Sequence, residues 1–273
     1  MALRKYLCDD EKMPNYFLIL VIFTSYFCLS FWQYLHVFKS KKCPIFLFQL
    51  LSLIPILLNA WFLYLWIEKA GAQNLSWANM LAFIAWCMNI FILVGSIFRP
   101  ILNLTLISYP LACLTFLVGV AFWNKSAHLV VTKAHLPMLY HILFSLFGLS
   151  LFGLAAIQSG LVILQVSQLK TNPGSVLKQL LPPLEVMETF LMDLLWLGCL
   201  ILGSGLFFGL QALPSEHFLP YLLLPKTLFS LIGFGIISVM ISAKLFFGLR
   251  TSWLAKLALL SIVLLTFSYF GTR

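Results

Sequence analysis

Of the ionisable residues inside apolar sequence, His141, Asp193 and Lys244 bear most on the chemistry this chain could carry. His141 stands about one helical turn inside the run HILFSLFGLSLFGLAAIQSGLVILQ. Asp193 stands about one turn inside LMDLLWLGCLILGSGLFFGL, and Lys244 about a turn and a half before the end of a later run. Polar groups that enter a bilayer are costly and point to function or to packing. If the two later runs are antiparallel helices, Asp193 and Lys244 sit at similar depth near one face. They are then expected to pair as an ion pair, which lowers the cost of each charge. The alternative is that each reaches the headgroup region by itself, which lysine does through its long stem. His141 could act as a ligand or could hydrogen-bond a neighbouring helix. His135, just before the first run, and His217, in a later loop, are further imidazoles.

No enzyme signature accompanies these residues. The sequence has no H-E-x-x-H, no G-x-S-x-G, no phosphate-binding loop and no C-x-x-C-H, and the expectation is a protein without catalytic residues. Its six cysteines form no C-x-x-C and mostly lie inside apolar runs, so they read as free thiols packed like small hydrophobes.

The elements that must position these groups follow from composition. The chain is 62% hydrophobic and 9% charged, against about 25% charged in a soluble domain, so lipid must be the solvent for most of it. About eight apolar runs of roughly 20 residues are each long enough to cross the hydrocarbon as a helix. Helices, not a barrel, are expected because the runs are continuous rather than alternating. The fold class expected is all-α: a polytopic membrane bundle of about eight helices, forming a single transmembrane domain over 1–273. The runs are Tyr16–Phe38, Ile45–Ile67, Leu75–Phe98, Ile101–Trp123, Pro137 to about Val166, about Thr189–Leu210, Tyr221–Leu249 and Trp253–Phe270. The fifth exceeds what a span needs, so it tilts or projects.

The formal charge of +9 is scattered over loop ends with no basic stripe. That is membrane anchoring, not nucleic-acid binding. Lysines and arginines divide almost evenly between the two faces, so charge alone leaves the orientation open. Small residues form a face on the fifth run (His141, Ser145, Gly148, Ala155, Ser159, Gly160) and recur on the sixth as Gly198, Gly205 and Gly209. Such faces let helices approach closely in lipid, and plain packing is their ordinary use.

The blocks HILFSLFGLSLFGLAAIQSGLVILQVSQLK, LPPLEVMETF, LGCLILGSGLFFG and the ending LTFSYFGTR, in that order and spacing, resemble the CcsA-like cytochrome c assembly family. The likeness is nearest to its small inner-membrane branch, the YpjD proteins. It covers the last half of the chain well and a core of about 75–273 more loosely. The resemblance implies a multi-pass protein of the bacterial inner membrane that handles haem, or assists partner membrane proteins, in cytochrome complex assembly. It implies haem as cofactor, with His141 at a family histidine position and His135 near one. It also implies that the loops after spans four and six lie on the outer face.

The sequence departs from the family pattern in ways that argue against haem attachment itself. The family's tryptophan-rich loop would fall at QALPSEHFLPY, which has no Trp, and its late outer histidine would fall beyond Arg273. The small branch would have histidines where Asp193, Lys244 and Phe246 stand. Three functions are therefore weighed: a haem-handling or accessory protein of cytochrome assembly, a small-molecule or ion transporter using the Asp193 and Lys244 region, and a ligand-free structural subunit of a membrane complex.

Overall fold

The computed structural model describes residues 16–39, 44–69, 72–122, 129–130, 136–171, 182–212 and 223–270. Its helices are α1 (Tyr16–Lys39), α2 (Ile45–Ile67), α3 (Trp77–Phe98), α4 (Thr105–Phe122), α5 (Leu136–Thr171), α6 (Leu184–Gln211), α7 (Pro225–Phe247) and α8 (Thr251–Phe270). Among the described residues all eight are long and apolar enough to span a membrane. Every span expected from the sequence is therefore a helix, as the need to satisfy backbone groups within lipid requires.

The ends follow local chemistry. Pro44 and Pro183 occupy the N-cap positions of α2 and α6, and Pro225 opens α7, where its missing N–H is not needed. Helix α7 stops at Gly248, whose φ of 65° is left-handed and whose N–H bonds to the Lys244 carbonyl at 3.1 Å. That glycine allows the chain to turn into α8 within three residues. Helix α5 has 36 residues, about 54 Å at 1.5 Å per residue, so it projects well past a hydrocarbon layer of about 30 Å.

Two connections read as plain loops pair into a small sheet. Strands β1 (Glu68–Lys69), β2 (Ala72–Asn74) and β3 (Leu129–Val130) are antiparallel, with Glu68 opposite Gln73 and Gln73 opposite Val130. Strands this short carry no alternation that could announce them.

The structure divides into two compact units, Met1–Leu93 with Thr105–Ala134, and Val94–Leu104 with His135–Arg273. The first holds an aromatic core on α1, α2 and α4: Tyr26 meets Tyr109 edge-on at 5.4 Å, and Phe62 lies 5.0 Å from Phe116 between ring centroids. Trp86 on α3 donates to the Ile56 carbonyl on α2 at 2.8 Å.

The second unit is a ring in which α5 packs on α6 and α8, and α7 packs on α6 and α8. Helices α5 and α6 run antiparallel along a seam of glycines. A Cβ on Gly148 would lie 3.2 Å from the backbone of Leu202, and one on Gly198 would lie 2.9 Å from the Phe152 ring. Hydroxyls and a thiol join the remaining helices. Ser230 and Ser268 lie 2.6 Å apart between α7 and α8, and Cys199 lies 3.4 Å from Ser238 between α6 and α7.

The seam separates two glycines that look alike in sequence. Gly148→Ala pushes against main chain and is expected to lower stability by about 1–3 kcal/mol. Gly160, where an added Cβ meets nothing within 4 Å, should accept alanine with no loss, or a gain of up to ~1 kcal/mol from helix propensity. Thermal unfolding of the two variants in detergent checks this. Equal effects would mean the seam is not close-packed.

Candidate functional site

The polar residues of the second unit gather at the two ends of the α5–α6 seam. At one end the carboxylate of Glu188, in the second turn of α6, receives two neighbours. Lys244 of α7 pairs with its Oε1, and the hydroxyl of Thr251, first residue of α8, donates to its Oε2. Lys244 also donates to the Leu249 carbonyl at 3.0 Å. One carboxylate thus joins three helices and the turn between two of them. Asp193, further along α6, binds Arg99 at 2.7 Å.

The expected Asp193–Lys244 pair is therefore corrected: each charge has another partner. Asp193 follows Glu188 by five residues, about 500° around the helix, or roughly 140° net. The two acids face different neighbours, and only Glu188 faces α7. Lys244 meets α6 five residues before Asp193, and rotation about the helix axis decides which acid it finds. The two pairs also differ in environment. Side-chain exposure is 25% for Lys244 and 20% for Glu188, but 35% for Arg99 and 50% for Asp193. Exposed pairs contribute about 0–1 kcal/mol, so the Glu188 cluster is the stronger joint.

Two glutamines extend this end. Gln158 donates to the Met187 carbonyl at 2.9 Å, and Gln165 to the Pro182 carbonyl at 3.0 Å. Seven residues apart on α5, they share a face and satisfy carbonyls at the start of α6. The spacing Gln-x6-Gln was the available signal. The segment Val94–Leu104 lies against the same region, with Ile101 and Leu104 buried, and Arg99 fastens it to α6.

At the other end His141, half-buried on α5, places Nδ1 2.7 Å from the carbonyl oxygen of Gly205 on α6. A carbonyl only accepts, so Nδ1 carries the proton and donates. In the neutral ring Nε2 then keeps a lone pair. Among the rings of α5 and α6, Phe208 stacks with Phe144 at 5.6 Å and lies 5.3 Å from Tyr140. His135 and His217 lie outside the described residues. Among the described residues no group of three or more His, Cys, Asp or Glu could hold a metal ion. Cys28, Cys87, Cys113 and Cys199 form no disulfide among the described residues.

Helices, lipid-facing apolar surface and internally paired charges define a multi-pass α-helical membrane protein. The chain belongs to the cytochrome C assembly protein family, whose pattern it matches over residues 74–273, close to the core of about 75–273 expected from the sequence blocks. It is 29% identical over 195 residues, 70% of either chain, to an uncharacterized 28.8 kDa protein in the nifR3-like 5′ region of Azospirillum brasilense. No solved structure matches it.

Double-mutant cycles on unfolding in detergent distinguish the pairs. Lys244→Met alone should cost about 1–3 kcal/mol, because it leaves Glu188 without its cation. Combined with Glu188→Gln it should cost less than the two singles added, by roughly 0.5–2 kcal/mol. Lys244→Met and Asp193→Asn should add to within ~0.5 kcal/mol. Coupling to Asp193 instead of Glu188 would overturn these assignments.

Proposed function

We propose that this protein handles haem, or assists the membrane proteins that do, during cytochrome c assembly at the bacterial inner membrane. In this reading it is a binding and accessory protein, not an enzyme, and it belongs with the small YpjD-type branch. Family membership supports a role in biogenesis. The observation that carries the haem reading is the state of His141. Histidines that ligate metals commonly donate their other ring N–H to a carboxylate or a backbone carbonyl, which fixes the ring and raises the basicity of the free nitrogen. His141 has that arrangement, with Nδ1 on the Gly205 carbonyl at 2.7 Å.

The residues present would hold the group through His141. Nε2 of His141 is the donor, and Tyr140, Phe144 and Phe208 offer the apolar aromatic surface that a porphyrin face favours. Haem, if bound, would supply an iron that accepts an imidazole nitrogen. The chain's own part is to orient that imidazole and to keep its surroundings apolar. His135 completes the reading as a second outer ligand.

An absorption spectrum of protein purified from haem-replete cells tests this. A Soret band is expected, and His141→Ala should weaken it roughly tenfold or more. A colourless preparation that takes up no haem on titration would sink the proposal.

A further inference from the structure

The contact between His141 and α6 depends on two glycines with different tasks. The carbonyl of Gly205 is the helix-ladder acceptor for the N–H of the residue four positions on, Gly209. One lone pair of that oxygen remains, and a side chain at position 209 would stand over it, since residues four apart share a helix face. A Cβ there would come within 2.6 Å of Nδ1 and 2.9 Å of Cε1 of His141. Gly205 itself sets the approach of the helices, because its own Cβ would meet Ser145 N and Oγ at 3.1 Å. One glycine brings α5 near, and the other leaves the carbonyl open. A solvated neutral imidazole favours the proton on Nε2, so this seat selects the less common form of the ring.

We infer that Gly209 is a positioning residue: with the Gly205 carbonyl it holds His141 as the Nδ1–H tautomer, so that bare Nε2 is the nitrogen offered to a metal centre. The tautomer follows from the contact alone. Its use toward haem iron rests on the function proposed above.

The test is imidazole ¹⁵N NMR of the full-length, haem-free protein in detergent at about pH 8, well above the ordinary histidine pKa of about 6.5. Of the five histidines in the sequence, the signal of His141 is the one that His141→Ala removes. The wild type should show protonated Nδ1 and bare Nε2, and Gly209→Ala should lose that signature. The same variant should retain haem roughly ten- to a hundredfold less well. A wild-type ring protonated on Nε2, or a Gly209→Ala protein that keeps the Nδ1–H signal, overturns the inference. If Gly209→Ala does not accumulate, adding His141→Ala should restore it by removing the clash, and failure to do so also overturns it. A protein that shows the Nδ1–H signal yet binds no haem supports the tautomer assignment and counts against the haem reading alone.

Discussion

Close approach of two helix backbones is the condition on which the second unit rests. Helices in lipid gain no hydrophobic attraction from each other, so they associate through packing and polar contacts at short range. Gly148, Gly198 and Gly205 let α5 and α6 come near enough that a carbonyl on one is within reach of a side chain on the other. The imidazole of His141 and the amides of Gln158 and Gln165 all cross this one seam to main-chain oxygens. The middle is apolar and tight, and the polar crossings lie toward its ends. Widening the seam would therefore strand several donors at once, each of which is costly without water.

The ionic joint obeys the same rule by a different route. Lys244, in the last turn of α7, and Glu188 are mostly buried, and either charge left without the other would be costly. Their charges cancel, and the Thr251 hydroxyl and the Leu249 carbonyl take up remaining hydrogen-bonding capacity. A pair satisfied on several sides holds geometry as well as charge. Here that geometry is the turn Gly248 to Arg250 and the start of α8. The Arg99–Asp193 pair, more exposed, is better placed to guide the segment after α3 than to stabilise the unit.

The spans were legible because length and apolarity decide what a bilayer accepts, and that decision is local in sequence. The small-residue face of α5 was legible too. Rotation about the helix axis was not. Which of two acids five residues apart faces α7 depends on how three helices pack, and no single window contains that information. Arg99 follows the end of α3 and Glu188 stands in the second turn of α6, and neither position names its partner. The partner of His141 is a main-chain oxygen, which leaves no mark in residue types beyond the glycines that expose it. The three-stranded sheet joins segments more than fifty residues apart through two- and three-residue strands, too short for periodicity to register.

The departures from the family pattern acquire a physical meaning once the ends of α6 are compared. Asp193 stands where the resemblance to the small branch implies a histidine, and twelve residues separate it from Gly205, about 18 Å along the helix. Lys244, at another such position, is bound to Glu188 near the Asp193 end. A cation held by a carboxylate cannot donate a lone pair to a metal, and a carboxylate bound to a guanidinium is a poor soft ligand for iron. On the proposed reading, the end of the bundle around Glu188 has become a structural joint, and ligand chemistry is left to the end that holds His141.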